Sequence, residues 1–312
     1  MKIESPIFSK IVFFLLVVLC LSGFVDPPIA LLLGLVFSQL VQHPFLSYNA
    51  TVTKFLLQFS VVGLGFGMNL FEASKAGKEG FLFALISIIS TLALGWLIGK
   101  LLSVPLKTRL LISSGTAICG GSAIAAVAPV IDAQEEEISV SLGTIFILNA
   151  VALFMFPGIG HFLNLSQHQF GIWAAIAIHD TSSVVGASQK FGEEALKIAT
   201  VVKMERALWI IPLTLLFSFV FKKDKSKVTI PYFIFFFVLA MLINTYLPSF
   251  HEVGTYLVLL AKRGLTLTLF MIGAGMTRTT IQNVGYKPLL LGVVIWLFIS
   301  IFSLVIILQT VK

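Results

Sequence analysis

Residues 138–179 contain no Asp, Glu, Lys or Arg. A soluble domain interrupts its chain with charges far more often, because roughly 25% of its residues are charged. Over the whole chain only 11% of the residues are charged and 58% are hydrophobic. Such a chain cannot cover a water-exposed surface. The sequence therefore predicts an all-α integral membrane protein whose solvent is the lipid bilayer.

Apolar segments recur along the chain at about the 20-residue length that one membrane-spanning helix requires. They predict a single polytopic domain over 1–312 with about eleven transmembrane helices. Gly158 and the stretch 164–169 mark the expected break in the uncharged run. The predicted spans are 10–25, 27–42, 54–71, 80–101, 109–131, 138–158, 168–189, 195–221, 228–247, 253–277 and 287–310.

Basic residues are concentrated in alternate loops, and basic loops tend to stay in the cytoplasm. With a cytoplasmic N-terminus, the inner side collects Lys100, Lys107, Arg109 and the basic run 222–227, and the acidic run 132–137 falls outside. We predict a multi-pass membrane protein with a cytoplasmic N-terminus and an extracytoplasmic C-terminus. The net charge of +7 does not indicate nucleic-acid binding, because its basic residues lie in short loops.

Shifting the chain by 208 residues brings two segments into register. An odd number of predicted spans separates them, so the copies would have opposite orientations, which is typical of secondary transporters. The predicted inverted repeat units are 27–165 and 168–311. Chance similarity between apolar segments is the alternative. The matched pairs are Lys54 and Lys262, Leu57 and Leu265, Gly65 and Gly273, Gly67 and Gly275, Met68 and Met276, and Gly77 and Gly285.

Two polar interruptions, 115–123 and 178–186, fall within predicted spans. Each combines small and hydroxyl residues with residues that weaken a helix. Unwound backbone at membrane depth is tolerated only inside protein or beside water, which favours a substrate site. Tight helix packing is the alternative. The candidate substrate-binding residues are Cys119, Gly120, Gly121, Ser122, Thr181, Ser182 and Ser183.

The second interruption also contains His179 and Asp180. An acid at membrane depth is costly and usually functional, and histidine is the side chain that changes charge near neutral pH. We therefore assign ion coupling to His179 and Asp180. Lys203 and Arg206 share one helix face in the next span and would supply positive charge to an anionic substrate. A structural Asp–Arg pair, or cations that reach back to the membrane surface, are the alternatives.

Several signatures are missing from the sequence. No phosphate-binding glycine loop occurs, so ATP is not expected as an energy source or cofactor. No cluster has the spacing of a metal site, and no set of residues predicts nucleophilic catalysis, so we expect neither a metal nor an enzyme. Cys20 and Cys119 lie in apolar segments, which disfavours a disulfide.

At these motifs the chain resembles the YeiH-like family of bacterial sulfate exporters. The similarity lies in Ile118-Cys119-Gly120-Gly121-Ser122 through Pro129, in 179–186, in 199–203 with Arg206 and Pro212, and in the Gly-x-Gly-Met at 273–276. The family looks related to cation–proton antiporters and bile-acid-type carriers. The resemblance implies a location in the bacterial inner membrane, broken helices crossing in a core domain, a scaffold bundle and elevator-like alternating access. Many relatives have Glu where this chain has Asp180, which changes the reach of the acid.

The sequence thus favours a secondary transporter of a small anion, such as sulfate or an organosulfonate, driven by H⁺ or Na⁺. One alternative is a cation or proton exchanger in which Asp180 carries the transported ion. Another is a channel or a sensor without turnover. The expected partners are the anion, the coupling ion and the bilayer, without nucleic acid, and a homodimer is one assembly open to the chain.

Overall fold

The computed structural model describes residues 6–221, 232–247, 250–276 and 285–311, and the elements of this part of the chain are α-helices. This confirms the predicted all-α class. The basic run 222–227 lies outside the described residues. The helices are α1 (Pro6–Ser22), α2 (Pro27–Leu40), α3 (Leu46–Gly65), α4 (Leu70–Leu101), α5 (Leu106–Ala117), α6 (Gly121–Val127), α7 (Glu135–Phe162), α8 (Gln167–Ala177), α9 (Thr181–Phe191), α10 (Glu193–Leu208), α11 (Ile210–Val220), α12 (Tyr232–Tyr246), α13 (His251–Gly275) and α14 (Tyr286–Thr310).

Among the described residues, four helices are long and apolar enough to cross a membrane, and others are apolar but shorter. Large apolar side chains lie on the outside of the molecule, such as Phe219 at 85% exposure and Ile301 at 59%. A bilayer interior accepts such a surface and water does not. The molecule is therefore a membrane protein. The long stretches are Phe83–Leu101, Glu136–Phe162, His251–Gly275 and Tyr286–Thr310, and the shorter helices are Ile7–Ser22, Pro27–Leu40 and Tyr232–Tyr246.

The helices form two bundles. Helix α13 packs against α1, α2 and α3, and α3 also packs against α12; these five helices are the scaffold bundle. The other helices form the core bundle, in which α10 packs against α4, α8 and α9. Gly34 and Gly273 lie where α2 crosses α13, and a Cβ on either would collide with backbone of the other helix. Small residues at such a crossing let two membrane helices approach closely.

Helices α5 and α6 form a hairpin, which we call hairpin 1. At its base, Nζ of Lys107 in α5 donates a hydrogen bond to the carbonyl of Asp132, just beyond α6, at 2.5 Å. Near its turn, a Cβ on Gly115 of α5 would lie 3.1 Å from Cδ1 of Ile124 in α6. Helix α5 has 12 residues, or about 18 Å at 1.5 Å per residue. Hairpin 1 therefore extends only partway through a hydrocarbon core of about 30 Å.

Helices α8 and α9 form hairpin 2. At its base the rings of Phe170 and Phe191 stack with their centroids 3.8 Å apart. There too, Oε1 of Gln167 accepts a hydrogen bond from the backbone N–H of Glu194 at 3.0 Å. Each limb has 11 residues, about 16 Å of helix. Hairpin 2 also turns back partway.

Helix α7 separates the bases of the two hairpins. Near its start, Oγ of Ser141 lies 3.5 Å from the carbonyl of Thr108 at the base of hairpin 1. Near its end, the ring of His161 stacks on Phe191 at the base of hairpin 2, with centroids 4.4 Å apart. Ser141 and His161 are 20 residues apart in α7, so these bases lie about 30 Å apart along it. The hairpins enter from opposite ends of α7.

Three predictions are wrong at these hairpins. Segments 109–131 and 168–189 were predicted to cross the membrane, but each reverses at its polar turn, so eleven crossings are too many. For the same reason, these two segments are hairpins that turn back, and not broken helices that span the membrane and cross each other. The acidic run 132–137 begins beside Lys107, on the side that we predicted to be cytoplasmic. Losing two crossings leaves an odd number, so the opposite placement of the termini stays a prediction.

Candidate functional site

The tips of the two hairpins meet near the middle of α7. A Cβ on Gly120 would lie 3.5 Å from both Cα and Cβ of Asp180, and 3.3 Å from Cγ2 of Ile145 in α7. Gly120 has φ 63° and ψ −124°, a conformation that glycine adopts freely and other residues only with strain. This glycine lets hairpin 1 reverse and approach hairpin 2 closely. The fold thus brings together two residues that the sequence predicted for the site.

The turn of hairpin 2 is held by side chains. Asp180 is the N-cap of α9, and its Oδ2 accepts hydrogen bonds from the backbone N–H of Ser182, at 3.0 Å, and from the Ser182 hydroxyl. Aspartate is among the best N-cap residues because it satisfies otherwise unpaired N–H groups. From α7, Oδ1 of Asn149 accepts hydrogen bonds from the backbone N–H groups of His179, at 3.1 Å, and Asp180, at 3.2 Å.

Lys203 of α10 binds the tips of both hairpins. Its side chain is 0% exposed, so it does not reach back to the membrane surface. Its Nζ donates to the carbonyls of Ile118 at 3.1 Å, Ala175 at 3.3 Å and Ile178 at 2.7 Å. These carbonyls lie at the C-terminal ends of α5 and α8, where backbone acceptors lack partners within the helix and the helix dipole favours a cation.

Arg206 repeats this arrangement one turn further along α10. It is also 0% exposed. Its guanidinium donates to the carbonyl of Ile176 at 2.9 Å and to the carbonyl of Ala117. Between the described residues Lys203, Arg206 and Asp180 there is no ion pair, so the alternative of a structural Asp–Arg pair is not what holds these helices. The two cations cap helix ends of both hairpins.

The predicted site residues differ in how open they are. Ser122 is exposed, and Gly121 and Asp180 are half-buried. Both ring nitrogens of His179 are buried without a hydrogen-bond partner in the described structure. The remaining predicted residues are buried around the tips: Cys119, Gly120, Thr181, Ser182, Ser183, Lys203 and Arg206. The half-buried carboxylate of Asp180 and the exposed hydroxyl of Ser122 define where a ligand would approach.

Asn149 is the residue of this site that sequence reasoning missed. It is 3% exposed and lies halfway along α7. A signal was present, because Asn149 is an amide within the uncharged run 138–179. Polar side chains at membrane depth usually have a specific partner or role.

A crevice of about 220 Å³ lies at the base of hairpin 2, away from the tips. Both charged and apolar side chains line it. Within the described residues, no group of three or more His, Cys, Asp and Glu side chains is placed to hold a metal ion. The crevice is lined by Met68, Asn69, Glu72, Ala73, Lys75, His168, Glu194, Lys197, Ile198 and Val201.

Comparisons with other proteins place the chain in a family. Residues 11–292 match the family described as "Conserved hypothetical protein 698". A UPF0324 membrane protein of Bacteroides thetaiotaomicron is 55% identical over 285 residues, covering 91% of this chain and 86% of that protein. One of Porphyromonas gingivalis is 55% identical over 291 residues, covering 92% and 88%.

A third relative, the UPF0324 membrane protein of Shewanella oneidensis, is 48% identical over 306 residues, covering 96% of this chain and 97% of that protein. No solved structure matches the chain at a comparable level of significance. The YeiH-like label and the sulfate-export role stay predictions. Because the family match covers most of its length, the chain belongs to the conserved hypothetical protein 698 family, whose similar members are named UPF0324 membrane proteins.

Proposed function

We propose that this protein is a secondary active transporter whose substrate site lies between the hairpin tips. The observation that carries the proposal is that two hairpins from opposite ends of α7 meet at mid-depth, with half-buried Asp180 and exposed Ser122 beside the contact. Polar backbone at such depth is tolerated beside water or within protein. Secondary transporters commonly bind substrates and coupling ions there, between inverted repeats.

The charge around the tips favours an anion. Lys203 and Arg206 are fully buried there, with Asp180 as the nearby carboxylate of the hairpin turn. Asp180 and Glu205, the neighbour of Arg206 in α10, offset part of this charge. The two cations nevertheless lie in a medium of low dielectric constant, where their attraction for an anion is strong. Sulfate or an organosulfonate is the substrate class that the family resemblance suggests. Asp180 and His179 would then bind the coupling H⁺ or Na⁺.

Contacts of the matched glycines support the predicted inverted repeats. A Cβ on Gly67, two residues beyond α3, would lie 2.8 Å from Cγ2 of Val258 in α13, and a Cβ on Gly275, at the end of α13, would collide with Asn49 in α3. The two contact partners, Asn49 and Val258, are themselves almost matched to each other by the 208-residue shift.

The arrangement of the two bundles supports an elevator-like movement. Both hairpins and both cations belong to the core bundle, which meets the scaffold bundle mainly where α9 packs against α2 and α13. A core that slides as a unit would carry both hairpins with it and exchange only the smaller interface with the scaffold. Such a rigid-body movement is one of the established routes to alternating access.

Flux measurements test the proposal. Purified protein in liposomes should take up labelled sulfate or methanesulfonate saturably and exchange it in counterflow. Asp180→Asn should abolish uptake driven by a proton or sodium gradient, because the amide cannot carry the charge, while the helix cap is retained. Asp26→Asn is the matched control, since Asp26 is the N-cap of α2 without a side-chain cap bond. Normal gradient-driven uptake by Asp180→Asn would reject the coupling role.

A cation or proton exchanger is the second candidate. It is favoured by Asp180, whose carboxylate is half-open while Lys203 and Arg206 are occupied by backbone carbonyls. A pH-sensitive dye inside the liposomes separates the two functions, because an exchanger acidifies or alkalinises the lumen without any anion substrate. A channel would give ohmic current instead of saturable counterflow, and a sensor would give neither.

A further inference from the structure

The orientation of the Asn149 amide is fixed by its neighbours. Its Oδ1 accepts hydrogen bonds from the backbone N–H groups of His179 and Asp180 at 3.1 Å and 3.2 Å. Two N–H donors require an oxygen opposite them, so the assignment of oxygen and nitrogen in this amide follows from the network. The Nδ2 group, with its two N–H donors, must therefore point away from the backbone of hairpin 2.

This Nδ2 group is sealed from solvent and has no hydrogen-bond partner in the described structure. Leaving a buried donor unpaired costs about 1–3 kcal/mol. Native proteins rarely accept that cost unless an ion, a water molecule or a function accounts for it. The ring of His179, beside the same turn, is likewise buried and unpartnered. The unpaired polar groups therefore cluster at the tip of hairpin 2.

We propose that Asn149 is an oxyanion-binding residue, which holds the turn of hairpin 2 through Oδ1 and donates from Nδ2 to a sulfate, sulfonate or carboxylate oxygen. This inference rests on the proposed function, which places an anion between the tips. An amide NH₂ group can only donate, so it pairs with acceptor oxygens and not with a cation. Lys203 and Arg206, buried at the same tips, add the positive charge that an oxyanion needs. The donor becomes available when the two tips separate.

The test is the isosteric variant Asn149→Asp. Aspartate keeps an oxygen for the two backbone N–H groups but replaces the free donors with a second oxygen and adds negative charge. Thermal melting of the purified protein is followed against increasing sulfate, methanesulfonate and phosphate. The anion that stabilises the wild type should be required at a ten- to a hundredfold higher concentration in the variant, the loss typical of one hydrogen bond to a charged group.

Two further variants separate binding from structure. Asn149→Leu removes the acceptor as well, so it should loosen hairpin 2 and speed the alkylation of buried Cys119 in the absence of anion. Asn149→Asp should leave that alkylation rate near the wild-type value. Asn164→Asp, the same change at an exposed residue after α7, should alter neither measurement.

Each outcome decides the matter. An unchanged anion dependence in Asn149→Asp overturns the inference. So does alkylation as fast as in Asn149→Leu, because Asn149 would then only hold the turn. If no oxyanion stabilises the wild-type protein and none is transported by it in liposomes, the proposed function is overturned. The inference about Asn149 then falls with it.

Discussion

Hairpins 1 and 2 both reverse the chain and bring a polar turn to the same place, but their turns are stabilised differently. Hairpin 2 reverses through a turn that is tied by Asp180 and Asn149, and its second limb, α9, is buried through its first eight residues. Hairpin 1 reverses through Gly120 at positive φ, without a side-chain cap on α6. The seven residues of α6 include exposed Ser122 and Ala125. Apart from the cations that bind both hairpins, the turn of hairpin 2 is thus held by side-chain hydrogen bonds, and the turn of hairpin 1 by backbone conformation.

This difference indicates that the two hairpins have different roles in ligand binding. A short helix with an exposed face and no cap loses fewer contacts and hydrogen bonds when it moves than a buried and capped helix does. We therefore expect hairpin 1 to be the tip that moves aside for a ligand and hairpin 2 to be the fixed wall. The feature that both share is Lys203, which binds carbonyls of each.

The largest expected effect comes from removing that shared cation. Lys203→Met keeps the volume but leaves three buried carbonyls, those of Ile118, Ala175 and Ile178, without this donor. At about 1–3 kcal/mol for each unpaired group, the free energy of unfolding should fall by roughly 3 kcal/mol or more. Equilibrium unfolding in mixed detergent micelles measures it.

Lys197→Met is the control for this variant, because Lys197 is an exposed lysine on the same helix. Its unfolding free energy should stay within about 0.5 kcal/mol of the wild-type value. Equal losses in the two variants would show that Lys203 does not tie the hairpins together.

A second variant acts on hairpin 1 alone. Gly120→Ala forces a side chain into a conformation at φ 63° and ψ −124°, and its methyl group would lie 3.3 Å from Ile145. Strain of this kind costs about 1–3 kcal/mol. The unfolding free energy should fall by that amount, and the alkylation of Cys119 in the turn should become faster.

Gly121→Ala provides the matched control next door. Its methyl group would meet only ordinary contacts of 3.4 Å or more, with Leu142 and Phe146. Alanine favours a helix over glycine by up to about 1 kcal/mol, so stability should stay the same or rise. A similar loss in both variants would contradict the conformational role of Gly120.

The corresponding change in hairpin 2 is Asp180→Ala. Removing an N-cap aspartate costs about 1 kcal/mol, and asparagine is an equally good cap. Asp180→Ala should therefore lower the melting temperature, while Asp180→Asn should melt as the wild type does. If both variants melt alike, the cap does not stabilise hairpin 2, and the contrast between the hairpins loses half its basis.

Much of the fold could be predicted because hydropathy is a local property. Each of the eleven predicted apolar segments corresponds to a helix or a pair of helices, and both polar interruptions lie at helix breaks, at 118–120 and 178–180. The boundaries were less accurate: α3 begins at Leu46, eight residues before the predicted start at 54. Local signals locate helical segments along the chain, but they do not show whether a segment crosses the membrane or turns back.

The reversal at each turn could not be predicted in that way. A limb, a turn and a second limb have the length and composition of one spanning helix, so hydropathy cannot distinguish the two. One further signal was present: Ala117-Ile118 and Ser122 recur 60 residues later as Ala177-Ile178 and Ser182. The role of Lys203 was hidden for the same reason, because the carbonyls that it binds come together only after the chain has folded back.

The last prediction concerns the contact between the bundles. Nζ of Lys262, in α13 of the scaffold, lies 2.5 Å from Oε1 of Glu193, the first residue of α10 in the core. An exposed ion pair contributes at most about 1 kcal/mol, so Glu193→Gln should hardly change the melting temperature. If the core slides past the scaffold, however, this pair must break during transport. Its loss can then change the rate of flux by up to about fivefold, and the difference should shrink at high salt, which screens the pair. Glu194→Gln, the neighbouring acid in the crevice, is the control. A flux that neither variant alters at low salt would argue that the two bundles do not slide at this contact.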